Sequence, residues 1–215
     1  MLTDYELANW VNVLYNTPKG RGPFSMILRE NNDYGINIGI VENSYGLIFV
    51  FRGSVTPQDW IRDAISFLPD EQEGMTFPLG FFEGMEEAFD NLRYFLGVVG
   101  SKTDIYVSGH SLGAAHATIF INLMKQYEYM AFGKLKKTVL MGCPRMSLRE
   151  EMIEQNVISF QNEEDFVCDV PPFPWGPFYP LTRINGGHDP KPSLFMYHHI
   201  QYYLKGILDY ENRQK

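Results

Sequence analysis

The chain predicts an α/β fold: a mostly parallel central sheet flanked by helices, with antiparallel strands at its N-terminal edge. Three observations predict it. Apolar runs at 36–41 and 46–51 are separated by the turn-like Glu42-Asn43-Ser44-Tyr45, the signature of a strand pair. From about residue 80 onward, short apolar runs alternate with stretches of helical period, as parallel strands joined by helices require. At 215 residues and 45% hydrophobic content, the chain can bury one substantial core, so residues 1–215 are expected to form a single domain.

Taken in order, the first element is a helix. Thr3 and Glu6 have the spacing of a capping box, and Leu7, Trp10, Val11 and Leu14 recur at helical intervals. The acidic Asp4 and Glu6, with no basic start and no apolar stretch, do not read as an export signal. No apolar run approaches the roughly 18 residues of a membrane span. The expectation is a soluble, intracellular and cytoplasmic protein in which Cys143 and Cys168 are free thiols. The strand pair at 36–51 follows. Phe81, Met85, Ala88, Phe89, Leu92, Phe95 and Leu96 then mark an amphipathic helix over about 80–99. After it come a strand at 105–108, a helix at about 112–127, a strand at about 137–141, a helix at about 148–155 and a strand at 157–161.

Two stretches resist regular structure. Residues 68–78 hold three charges, a glycine and two prolines and form a candidate lid or crossover loop. Residues 171–180, PPFPWGPFYP, cannot be a helix or an inner strand, because proline lacks the backbone donor. The balance of 18 basic against 26 acidic residues leaves a net charge of −8 with no basic run, which excludes a nucleic-acid or anionic-membrane footprint. Any contact with a lipid interface is therefore apolar and transient. The oligomeric state is not legible.

The chemistry enters at Gly109-His110-Ser111-Leu112-Gly113, a G-x-S-x-G element between a predicted strand and a predicted helix. The chain's 19 glycines and ten serines would supply about 0.08 such motifs by chance, and the strand-turn-helix setting is what gives the match its weight. A sharp turn there lifts the serine hydroxyl above the sheet edge in strained dihedrals. Side chains at 109 and 113 would collide with the neighbouring strand and helix. The backbone N–H of Leu112, next after the serine, is a candidate oxyanion donor.

Five blocks in order then resemble the class 3 (fungal-type) lipases. Phe51-Arg52-Gly53-Ser54 with Trp60 and Asp63 is similar to that family's F-R-G-[ST]…W-x-x-D, and the turn above to its G-H-S-L-G. Gly142-Cys143-Pro144-Arg145 is similar to G-x-P-R, Asp165-Phe166-Val167 with Pro171-Pro172 to its acid block, and His199-Ile200-Gln201-Tyr202 to its H-x-x-Y. One departure is Pro78, where the family usually carries a histidine ahead of Gly80-Phe81. The resemblance implies an α/β-hydrolase fold, a serine hydrolase acting on lipid esters such as acylglycerols or phospholipids, and a lid at about 68–78.

A serine hydroxyl needs a base to take its proton and a third group to orient that base. Histidine has the suitable pKa. His110 and His116 lie on the turn and its helix, where their direction is wrong, and His110 is expected to pack or bond beneath the turn. His188, His198 and His199 all follow the last strand, where hydrolase chain order places the base. Glu163, Glu164, Asp165 and Asp169 share the loop after the strand at 157–161, and a charged loop is ordinarily a solvated one. The resemblance selects His199, because Tyr202 follows it by three, and Asp165, by its distance to Pro171-Pro172. It also implies Ser54 as a second oxyanion donor beside Leu112. The expected triad is Ser111, Asp165 and His199, with no cofactor and no metal. His188, Asp189, His198 and His199 offer zinc-compatible residue types, but their spacing matches no ligand motif. The alternatives are a small-ester esterase or acyltransferase with the same triad, and a lipase-like signalling or scaffold domain with dispensable chemistry. Phe173, Trp175, Phe178 and Tyr179 lie either at the pocket mouth or in a surface loop tucked onto the core.

Overall fold

A computed structural model describes residues 1–17, 22–29, 36–53, 69–72, 75–100, 102–148, 156–191, 193 and 195–215. Helix α1 (Asp4–Tyr15) begins in the expected capping box, with Thr3 Oγ1 accepting from the Glu6 N–H and Glu6 from the Thr3 N–H. A seven-stranded sheet then runs in the order β1-β2-β3-β6-β7-β8-β9. Its first three members, β1 (Met26–Arg29), β2 (Asn37–Asn43) and β3 (Gly46–Phe51), pair antiparallel. From β3 onward every pairing is parallel, through β6 (Ile105–His110), β7 (Leu135–Met141), β8 (Val157–Asn162) and β9 (Leu181–Ile184). This is the mixed sheet, mostly parallel with an antiparallel N-terminal edge, that the alternation of periods predicts.

Burial on both faces explains why β3 reads as an unbroken apolar run. Leu47, Phe49 and Phe51 face one core with α2 (Leu79–Phe95) and α3 (Leu112–Tyr127); Ile48 and Val50 face the other with α1 and α5 (Ile200–Gln214). A π-helical turn, Leu96–Gly100, extends α2 to the end of the predicted helix, and the one-turn α4 (Tyr129–Phe132) follows α3. The terminal helices are tied together: Glu211 of α5 accepts from the Asp4 and Tyr5 N–H groups, and Gln201 donates to Asn12. The predicted helix at about 148–155 lies outside the described residues from 149 on.

The segment at 68–78 is a correction. Pro69–Gln72 (β4) and Met75–Pro78 (β5) form a small antiparallel pair of their own. The two prolines sit opposite each other at its open end, where a missing backbone donor does least harm. Phe77 is buried, stacked on Phe82 at 6.1 Å and on Phe178 at 5.5 Å between ring centroids. The proline-rich stretch contains no helix and only an isolated bridge, Ser147 to Gly176. It buries Trp175, Phe178 and Tyr179 and leaves Phe173 90% exposed.

Candidate active site

The turn between β6 and α3 has the form its sequence predicts. Ser111 takes φ 61°, ψ −133°, a conformation that costs a residue with a Cβ on the order of 1–3 kcal/mol and persists only where the surroundings impose it. They do so here. A Cβ at Gly109 would lie 2.5 Å from the Gly113 carbonyl oxygen, and one at Gly113 would lie 2.3 Å from the Phe51 carbonyl oxygen. The Ser111 N–H donates to Met141 of β7 at 2.9 Å, pinning the turn to the adjacent strand. Leu112 is the first residue of α3, where backbone N–H groups have no acceptor within the helix. Ser54, Trp60 and Asp63 lie outside the described residues.

Asp165 lies just after β8 and caps the short 3-10 turn Phe166–Asp169, its Oδ1 accepting from the Val167 N–H at 3.0 Å. Its Oδ2 accepts twice, from His198 Nδ1 at 2.7 Å and from the Tyr203 hydroxyl at 2.5 Å. Burial pushes the carboxyl pKa up, but His198 and these hydrogen bonds outweigh it and hold the group below its ordinary value. A carboxylate can only accept, so Nδ1 of His198 carries the proton and Nε2 is free to take one. That Nε2 lies 2.7 Å from Ser111 Oγ. The rest of the charged loop is solvent-facing: Glu164 is 3.4 Å from Arg183 and Asp169 is 2.8 Å from Arg145, with exposed side chains.

The expectation for His199 is therefore corrected: the histidine that bonds Ser111 is His198. His199 is the N-cap of α5 with extended backbone, φ −66°, ψ 135°. Successive side chains in an extended chain point to opposite sides, so turning His198 inward turns His199 outward. Their side chains are 3% and 62% exposed. His199 Nε2 lies 2.8 Å from Asp189 Oδ2, and the Tyr202 hydroxyl donates to Asp189 Oδ1 at 2.9 Å. The H-x-x-Y pair thus clamps Asp189, while the tyrosine that reaches Asp165 is Tyr203. The zinc-compatible residues diverge as well, since His188 Nδ1 bonds the Asp189 main-chain carbonyl. Among the described residues no three His, Cys, Asp or Glu side chains converge as a metal site.

Three contributors escape sequence reasoning. Tyr203 gives no signal beyond its place in a doublet of tyrosines. Asn162, fully buried at the end of β8, donates to the carbonyls of Gly187 and Tyr197 at 2.9 and 2.8 Å and accepts from the Gly186 N–H at 2.8 Å. It ties down the loop that presents His198. Gly142, at φ +58°, is the third: a Cβ there would lie 2.8 Å from His198 Cε1 and 3.1 Å from Asp165 Oδ2. Its signal was the G-x-P-R block, which marks a glycine without saying what it makes room for. Both cysteines are free and buried.

Comparison with known families matches residues 48–175 to Lipase (class 3). The chain belongs to the class 3 lipase family. The matched span includes Ser111 and Asp165 and ends before both histidines. Membership of the class 3 lipases implies carboxylic ester hydrolysis. Among solved structures, the Rhizomucor miehei lipase propeptide complex aligns with a TM-score of 0.67 at 19% identity, covering 95% of this chain and 76% of that one. Lipase II from Rhizopus niveus aligns at 0.62 and 21% identity, covering 75% and 66%. A triacylglycerol lipase described as having a serine protease triad aligns at 0.61 and 22%, again covering 75% of this chain and 66% of that one. These likenesses establish the lipase α/β-hydrolase fold. A search of curated proteins found no match. Among the described residues no helix of this class 3 lipase is long and apolar enough to cross a membrane.

Proposed function

We propose that this protein hydrolyses carboxylic esters of lipids through Ser111, His198 and Asp165. The observation that carries the reading is the continuous line from Ser111 Oγ to His198 Nε2 and from His198 Nδ1 to Asp165 Oδ2, each 2.7 Å. In the first step Ser111 Oγ attacks the ester carbonyl carbon as His198 Nε2 takes the hydroxyl proton. The carbonyl oxygen gains the negative charge, with the Leu112 N–H as one donor to it and Ser54 as the family-implied second. Collapse breaks the bond to the alcohol, which leaves with the proton from His198. Water then attacks the acyl-Ser111 ester, giving a proton to His198, and collapse releases the acid as Ser111 Oγ takes that proton back. Asp165 holds the Nδ1–H tautomer and stabilises the imidazolium formed in each half.

Family membership and the apolar Phe173 support lipid esters as the substrate class. Burial of Phe77, which withdraws one apolar side chain from any interfacial cover, favours a second reading as an esterase of soluble esters. A fluorophosphonate probe tests the chemistry: it should label the wild type and not Ser111→Ala, and equal labelling of both would refute the nucleophile. A panel of p-nitrophenyl esters, emulsified triglycerides and phospholipid vesicles separates the two substrate classes. A lipase shows a rise in turnover as its substrate passes the solubility limit; an esterase shows none.

A further inference from the structure

We propose that Tyr15, at the end of α1, is a positioning residue of this site, holding the main chain of His198 through His110. The inference rests on the hydrolase reading for its kinetic consequence, but the hydrogen bonds stand by themselves. His110 closes β6 directly before the nucleophile and is buried. Its Nε2 lies 2.9 Å from the His198 carbonyl oxygen. A carbonyl only accepts, so Nε2 carries the proton, and Nδ1 is an acceptor. Tyr15 Oη, 3.0 Å from that Nδ1, is then the donor. A Cβ at Gly53 would lie 3.0 Å from the same hydroxyl.

The result is a directional chain: Tyr15 O–H to His110 Nδ1, and His110 Nε2–H to the His198 carbonyl. It joins the end of α1 to the loop that presents the base. The three pieces are already in contact. A Cβ at Gly53 would lie 2.7 Å from the His110 carbonyl oxygen and 2.8 Å from Ser111 Cβ, and the His110 and His198 rings stack at 4.7 Å, 28° apart. Packing limits the distances, but only the hydrogen bonds set the rotation of the His110 ring and with it the height of the His198 main chain. A shift of about 1 Å in a catalytic group can lower a rate on the order of a hundredfold.

The chain also keeps His110 neutral beside a histidine that must become charged. The titratable groups around the ring are Tyr15 from α1, Tyr203 from α5, with its ring 5.5 Å away, and Asp165, His198 and His199 from the two loops. Burial, then the proximity of His198, lowers the His110 pKa to about 3 against the pull of Asp165. A second imidazolium would repel the one formed in each turnover; a neutral ring stacked against it does not.

A double-mutant cycle on soluble ester and on fluorophosphonate labelling tests the strut. Tyr15→Phe should lower kcat and the labelling rate about tenfold while KM moves less than about twofold, because ground-state binding is untouched. His110→Phe, which keeps the ring but removes both hydrogen bonds, should lose at least as much. The double variant should lose no more than His110→Phe alone, and His110→Gln, which keeps a donor for the His198 carbonyl, should recover part of the loss. A Tyr15→Phe enzyme within about twofold of wild type, or losses that multiply as for independent sites, would overturn the proposal. Histidine side-chain 15N spectra of the wild-type protein supply a readout that needs neither turnover nor a stable variant. His110 should remain neutral and protonated on Nε2 down to about pH 5, and a charged or Nδ1-protonated His110 would overturn the strut. Absence of probe labelling in the wild type together with the expected 15N tautomer would sink the hydrolase reading and leave the strut intact.

Discussion

The two halves of the candidate site are built in different ways. On the serine side, five consecutive residues, 109–113, hold everything the turn requires: glycines where a Cβ would strike backbone and a serine at φ 61° between them. On the histidine side, His198 and His199 stand next to each other before the same helix, and the choice between them is made 87 residues away at Ser111 and 33 residues away at Asp165. A site half that is fixed by sterics along the chain can be read from the chain. One that is fixed by remote hydrogen bonds cannot, and the H-x-x-Y pattern pointed to the member of the doublet that bonds Asp189.

The comparison breaks most readily at the histidines. His198→Ala should lower turnover and probe labelling by at least about a thousandfold, while His199→Ala stays within a few-fold of wild type. A reversed outcome in a side-by-side kcat/KM measurement would mean that the pairing with Ser111 is not the catalytic one.

Gly142→Ala probes the histidine side through backbone alone. The added Cβ meets His198 Cε1 and Asp165 Oδ2 at a position of φ +58°, so a stability loss of about 1–3 kcal/mol is expected. Turnover should fall further than the midpoint in urea suggests, because the displaced atoms belong to the side chains that hold the base against Ser111. Turnover that falls only in step with unfolding would show that His198 tolerates the displacement.

Tyr203→Phe removes one of the hydrogen bonds that hold the Asp165 carboxyl low, worth about 1.5–3 kcal/mol for a charged acceptor. A depressed carboxyl stabilises the fold above its unfolded value of about 3.9, and that stability disappears as pH falls through the folded pKa. In the variant the folded pKa rises, so acid unfolding should begin at higher pH. Superimposable melting-temperature profiles below about pH 5 would argue that Asp165 does not depend on Tyr203.

The smallest effect concerns acid sensitivity away from the reacting atoms. Burial lowers both His110 and His116 to about 3, and His116 Nε2 has no hydrogen-bond partner among the described residues. The unfolded chain takes up a proton near pH 6.5 that the folded chain refuses, so stability is fully present above that pH and is lost from about 6.5 down to about 3. At pH 5 each histidine then accounts for about 2 kcal/mol. His116→Met should flatten the fall in melting temperature between pH 7 and 5 by about half. An unchanged slope would assign the sensitivity elsewhere.

Much of the architecture was legible because it is written in local repeats. Alternating burial on the two faces of β3, the helical period of α2 and the capping box of α1 each express the geometry of one element. Asp165 was legible only through its spacing within a family pattern; loop position alone left four acids open, and burial on Tyr203 and His198 separates it from Glu164 and Asp169. Residues 68–78 read as loop because eleven residues with two prolines show no period, whereas pairing of 69–72 with 75–78 places both prolines at the open end of a ladder and buries Phe77 between Phe82 and Phe178.

By itself, then, the amino-acid order determined strands β2, β3, β6, β7 and β8, helices α1, α2 and α3, the strained serine turn and the family. It could do so because these depend on contacts within a few residues or on motif spacing. Only the tertiary structure decided which histidine faces Ser111, that Tyr203 and Asn162 support it, and that Tyr15 reaches His110 across 95 residues. Those choices rest on where the ends of β3, β6 and β8 and the flanks of α1 and α5 meet, a point no stretch of chain contains.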